Sequence, residues 1–207
     1  MKKKLLIVGA GGHGSVVADI AGRNGFYEEI AFVAKEQPKE GFAYPYLGEN
    51  AFAPGLLEQY DVIVAVGNNQ TRQGLMDELE RTGATFATVV APETYIASNV
   101  RIGKGTVVMP GAVINTGATI GSGVIINTTG SVDHDCIVGD FCHVSVGAHL
   151  CGGITLGERV WVGAGATIIN GLSICADCMI GAGAVVISNI EESGTYVGVP
   201  ARRVKSL

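Results

Sequence analysis

No uninterrupted apolar run in this chain approaches the roughly 18 residues needed to span a bilayer. The opening MKKKLLIVGAGGHG has a basic tip, but its apolar segment is only Leu5 to Val8 before glycines intervene. That is too short for a signal peptide, so the expected setting is the cytoplasm, with no membrane insertion. Charge is scarce as well. Charged residues are 16% of the 207, hydrophobic residues are 47%, and the net charge is -5. Such a composition buries a substantial core, which argues against global disorder. Mild acidity argues against nucleic acid as the main partner. Proline is ordinary at 6 residues while glycine reaches 31. That contrast favours a turn-rich repeat over a flexible linker. The five cysteines read as unpatterned, reduced thiols.

Residues 1 to about 90 alternate short apolar strands with helix-like stretches. Lys4–Val8, Ile30–Val33, Asp61–Val66 and Thr85–Val90 read as strands. Gly14–Arg23 and Gln70–Thr82 read as helices, the second with Arg72, Glu78 and Arg81 on its polar side. Strands alternating with helices imply a parallel sheet built from βαβ units.

From residue 96 the period changes. Ile96, Ile102, Val108, Ile114 and every sixth residue on to Val186 are aliphatic without a break. Four residues after each stands a mostly small or aliphatic residue, among them Cys136, Cys142 and Cys178. A strand repeats every 2 residues and a helix every 3.6, so neither continues with this spacing. A solenoid of very short strands does, with three six-residue sides making one coil. The aliphatic residues point inward, the small residues share the interior, and stacked coils bury a continuous core. The repeat spans a little over five coils. Trp161 faces outward in this register and is read as a subunit or domain contact.

Two clusters carry candidate chemistry. Gly9, Gly11 and Gly14 form G-x-G-x-x-G after a strand and before a helix, the context of a dinucleotide fingerprint. An acidic residue is missing at the end of the second strand, where Ala34 and Lys35 stand. NAD is therefore not expected. The second cluster is His134, one of only four histidines, between Asp133 and Asp135. It reads as a base with a carboxylate partner, a metal ligand or a polar corner. His143 and His149 lie on consecutive sides and do not converge with His134 within one chain, so no metal is expected. One coil above His134 is Gly152. A residue without a side chain there would leave a groove for a thioester, and its N–H would suit an oxyanion.

The repeat resembles the hexapeptide-repeat acyltransferases, down to the closing GVPARRV (Gly198–Val204). VGAGGHGSVVADIA (Val8–Ala21), AVGNNQTR (Ala65–Arg72) and DHDCIVGDF narrow it further. Together they resemble the sialic acid O-acetyltransferase and bacterial amino-sugar N-acetyltransferase family, in particular enzymes acting on UDP-4-amino-4,6-dideoxy sugars on the way to bacillosamine.

The resemblance implies a half-Rossmann-like α/β domain over residues 1–92 that holds a nucleotide-linked amino sugar. A left-handed parallel β-helix over 93–207 would then carry acetyl transfer from acetyl-CoA. It implies a catalytic base at His134 with Asp135 as its carboxylate. Relatives are expected to have glutamate there, so the shorter Asp135 leaves Asp133 as a competitor. Gly11, Gly12, His13, Gly67 and Asn68 match sugar-nucleotide contacts, and Asn127 matches a polar active-site residue. His143, Ala164 and Ala182 match coenzyme A contacts, joined by Gly152 from the coil register. Arg202 and Arg203 are candidates for CoA phosphates. The implied assembly is a homotrimer with sites in the grooves between subunits. O-acetylation of sialic acid or another polysaccharide unit is the alternative chemistry. A non-catalytic nucleotide-sugar-binding β-helix is the third reading.

Overall fold

The protein is described by a computed structural model over residues 3–35, 43–50 and 55–204. Lys3–Val8 (β1) is the central strand of a three-stranded parallel sheet, between Tyr27–Val33 (β2) and Asp61–Val64 (β3). Gly12–Asn24 (α1) connects β1 to β2, Leu56–Gln59 (α2) precedes β3, and Asn69–Arg81 (α3) follows it. Successive strand residues face opposite sides, so the apolar run of β1 feeds two cores. Leu5 and Ile7 pack with Val17 and Ile20 of α1, whereas Leu6 and Val8 pack with Met76 and Leu79 of α3. No helix among the described residues is long and apolar enough to cross a membrane.

The predicted strand Thr85–Val90 does not form as one element. Phe86 makes a single parallel bridge to Val62, and Val89–Val90 then pairs with Val107–Val108. The chain leaves the small sheet and enters the solenoid within three residues. Val90 stands six residues before Ile96 and in the same phase, so the repeat starts one side earlier than the sequence reading places it.

Beyond this point every coil adds one two-residue rung to each of three parallel sheets, at a spacing of 18 residues. The first face carries rungs at Val89, Val107, Ile125, His143 and Trp161, then Cys178–Ile180, so about six coils stack. The predicted inward aliphatics fill the axis: Ile126, Val132, Val144, Val162 and Ile168 are 0% exposed. Each such burial is worth roughly 1.5–3 kcal/mol. Cys136, Cys142 and Cys178 fill the small inward position, as read from the repeat. Ile96 and Ile102 are only partly buried, at the open lower end of the stack. Cys175 and Cys178 form a Cys-x-x-Cys with free thiols whose Sγ atoms are 3.5 Å apart, which corrects the reading of the cysteines as unpatterned.

The corners hold a second period. From 105 to 183 every sixth residue has φ between +55° and +75°. Most of these positions are glycine, but Thr129, Asp135, Phe141, Arg159 and Asp177 are not. A side chain in this region costs about 1–2 kcal/mol. Four of the five have a visible use. Phe141 packs under α3, Arg159 and Asp177 form a two-point ion pair at 2.7 and 2.8 Å, and Asp135 belongs to the site below.

Candidate active site

His134 follows the rung Ser131–Val132 at the corner between the second and third faces. Its backbone is clamped: Gly153 N–H donates to its carbonyl at 2.8 Å, and its own N–H donates to Asp133 Oδ1 at 2.8 Å. Asn115 Nδ2 donates to the same Asp133 oxygen at 2.8 Å. Asp133 is thus a corner acceptor, and these bonds hold its carboxyl below the usual carboxylate range.

Asp135 has the other role. Its Oδ2 accepts from His134 Nδ1 at 2.9 Å. An ionised carboxylate only accepts, so Nδ1 carries the proton and Nε2 presents its lone pair. Nε2 makes no hydrogen bond among the described residues. Of the two aspartates it is Asp135, with φ of +59°, whose carboxylate reaches the ring. The Asp135 hydrogen bond raises the His134 pKa above the ordinary histidine value, with Asp133 adding to it.

Two glycines make space for this pair. A Cβ on Gly117, one coil below, would sit 2.4 Å from Asp135 Oδ1. A Cβ on Gly152, one coil above, would sit 2.4 Å from His134 Nε2 and 2.6 Å from Cε1. The space expected over Gly152 as a thioester groove is therefore taken by the imidazole itself. Gly152 seats the ring.

The acid limb of the rate profile follows from this geometry. With His134 as the base only its neutral form acts, so activity is expected to fall as pH drops through the raised His134 pKa. Asp135→Asn removes the largest cause of that rise. The limb of kcat/KM is expected to move to lower pH while kcat falls, because the ring loses its fixed tautomer. A pH profile that does not shift removes Asp135 as the partner.

The other candidates assemble elsewhere, where the α/β region rests on the first face. Gly11 and Gly12 are exposed at the start of α1, which has neither a side-chain cap nor an acid in its first turn. A Cβ on Gly14 would meet Gly9 O at 2.1 Å, so the third glycine of the motif lets helix and strand close up. At the end of β2, the Ala34 carbonyl accepts from Tyr46 Oη at 2.9 Å. Asn68 caps α3 through Oδ1, which accepts from Thr71 N–H at 2.9 Å.

His143 is 7% exposed, stacks on Trp161 with centroids 4.9 Å apart, and faces Asn127. Asn127 Oδ1 accepts from Thr128 N–H at 2.8 Å, so its Nδ2 is the donor to His143 Nε2 at 3.1 Å. The His143 proton is then on Nδ1, which is buried without a hydrogen-bond partner. The Gly67 backbone lies close enough to that ring to favour its charged form, against the effect of burial. His13 Nε2 is likewise buried and unpartnered. Burial pushes His13 down to about 4 and His143 to about 3, with the Arg72 guanidinium acting in the same direction. Trp161 donates from Nε1 to Ser145 Oγ at 2.8 Å and lines a cavity with Asn68 and Asn69 at the start of α3.

Ala164 and Ala182 are exposed, one coil apart, at the corner between the first and second faces. The buried His143 does not share that exposure. Arg202 and Arg203 are both exposed, and Arg203 is tied to Glu192 and to Ser193 O. The predicted residues thus form two groups on different edges of the prism. His134, Asp135 and Gly152 make one. His13, Gly67, Asn127 and His143 make the other, with Ala164 and Ala182 on the corner beside it.

Arg72, which the sequence places on the polar side of its helix, is instead a buried residue between the two regions. It is 0% exposed, and its guanidinium reaches carbonyls of both regions. A charged side chain on a helix reads as solvated unless the carbonyls that receive it are known.

The stacked hexapeptide coils, with a carboxylate-oriented histidine at a corner, define a hexapeptide-repeat acyltransferase. Residues 4–79 match the PglD N-terminal domain, and residues 88–128 and 153–188 match the bacterial transferase hexapeptide. The acetyltransferase domain of PglB from Neisseria gonorrhoeae is 36% identical with a TM-score of 0.94, over 98% of this chain and 100% of that one. PerB from Caulobacter crescentus, solved with CoA and GDP-perosamine, is 35% identical with a TM-score of 0.91, over 99% of each chain. WeeI from Acinetobacter baumannii is 26% identical with a TM-score of 0.83, over 98% of this chain and 100% of that one. The chain belongs to the family of hexapeptide-repeat acetyltransferases that holds the PglB domain and the perosamine N-acetyltransferase.

Proposed function

We propose that this protein is an acetyl-CoA-dependent N-acetyltransferase acting on the amine of a nucleotide-linked 4-amino-4,6-dideoxy sugar. One observation carries the reading: His134 holds its proton on Nδ1 against Asp135 and leaves Nε2 free as a base. The likeness to PerB bound to CoA and GDP-perosamine supports the substrate class. So does that of the PglB domain in complex with acetyl coenzyme A, 36% identical over 99% of this chain.

In this reading residues 1–92 hold the sugar nucleotide and 93–207 carry the chemistry. Gly11, Gly12, His13, Gly67 and Asn68 flank the sugar nucleotide, and Asn127 orients the neighbouring ring. The amine nitrogen attacks the thioester carbonyl and a C–N bond forms. Nε2 of His134 takes the amine proton. The tetrahedral oxyanion collapses, the C–S bond breaks, and the CoA sulfur leaves with the proton from the imidazolium. Amide and CoA thiol are the products.

Ala164 and Ala182 offer backbone to CoA along one edge, with His143 supporting from beneath. His134 lies on another edge of the same prism, so one chain does not complete the site. A homotrimer that sets the first edge of one copy against the His134 edge of the next completes it. Free thiols and a CoA co-substrate fit a cytoplasmic setting.

The test supplies acetyl-CoA with UDP-, GDP-, dTDP- and CMP-linked amino and hydroxy sugars and follows thiol release. Release with a nucleotide amino sugar, and a mass gain on its nitrogen, is expected. Release with hydroxyl acceptors alone moves the reading to O-acetylation. No release with any acceptor leaves only a binding role.

A further inference from the structure

We infer that Arg72 is a positioning residue whose guanidinium locks the Gly67 loop onto the coil that carries His143. It thereby sets the sugar-holding region against the solenoid. The inference deepens the proposed function and rests on it for the identity of the ligand.

The geometry is two-sided. Nη1 donates to Val66 O at 2.9 Å and to Gly67 O at 3.0 Å, on the loop that leaves β3. Nη2 donates to Phe141 O at 2.7 Å, immediately before the His143 rung, and more weakly to Cys142 O at 3.3 Å. Nε donates to Gly123 O at 2.6 Å, one coil lower. Asn69 Oδ1 accepts from Nη2 at 3.0 Å, and its Nδ2 donates to Arg159 O at 3.0 Å.

A planar fork with five N–H groups reaches both sides at once, and a lysine ammonium does not. No carboxylate among the described residues pairs with Arg72. Burying an unpaired cation is costly unless hydrogen bonds surround it. Its full set of carbonyl acceptors meets that condition. A simple surface dock would be served by neutral groups, so a buried fork spanning two backbones marks a junction held to close tolerance.

Arg72→Lys tests this, with Asn69→Ala as a milder second variant. Amide exchange is read first, without substrate, so it stands whether or not the sugar reading does. Exchange is expected to rise about tenfold in segments 65–70 and 139–145 and to stay unchanged in distant coils. Kinetics follow, with the nucleotide sugar that the unmodified protein turns over in the panel. KM for that sugar is expected to rise tenfold or more, and several times more than KM for acetyl-CoA, since Ala164 and Ala182 lie outside the loosened segments. Asn69→Ala is expected to move the same quantities in the same direction by less. Unchanged exchange at both segments overturns the inference. So does a rise spread evenly over the chain, or equal changes in both KM values, since these mark general loosening.

Discussion

His134→Ala is expected to lower kcat by about 10²–10⁴-fold, the range for removing a general base, without loss of the fold. The second half of that statement comes from burial. The imidazole is 57% exposed, so its removal leaves no core cavity. The corner is held by backbone bonds that alanine keeps, from Gly153 N–H to residue 134 and from residue 134 N–H to Asp133. The thermal midpoint should stay within a few degrees while thiol release nearly stops. Activity near that of the unmodified protein would remove His134 as the base.

Gly152→Ala gives the second large effect, and it acts on the same ring from another coil. The added methyl would lie 2.4 Å from Nε2 and 3.1 Å from Cδ2, well inside contact distance. Gly152 has no left-handed φ, so the backbone accepts alanine. The exposed ring is the part that moves, and it must stretch or break its 2.9 Å bond to Asp135. A displacement near 1 Å in a reacting group can cost on the order of 10²-fold in rate. The expected result is a kcat reduced by that order with an unchanged melting curve. A variant with normal kcat would show that the ring's seat does not matter to turnover.

The solenoid was legible because its period is unlike that of any strand or helix. One inward aliphatic every six residues fixes which side chains are core and puts His134 at a corner. The first rung, Val89–Val90, escaped because it lies inside a stretch that also reads as a strand of the preceding sheet. The choice between Asp133 and Asp135 depends on which carboxylate reaches the ring, which spacing does not carry. His143 was matched to CoA, yet it is buried because the α/β region lies on the first face. Only the tertiary contact reveals that, and the same holds for Arg72. A signal for Asp135 was present all the same. It occupies a corner phase dominated by glycine, and so do Phe141, Arg159 and Asp177. In such a phase four of the five side chains, all but Thr129, meet a local need that outweighs strain.

The His134–Asp135 pair also constrains how this chain can change length. His134 and Asp135 sit on one storey, the recess for the carboxylate is cut in the storey below at Gly117, and the recess for the ring is cut above at Gly152. Each recess lies 18 residues from the group it receives. An insertion of a few residues between Gly117 and Gly152 that entered the coils would bring a bulky neighbour under the carboxylate or over the ring. Growth within this span is confined to loops that bulge outward from a corner. Whole storeys can be added or removed above it with the pair undisturbed.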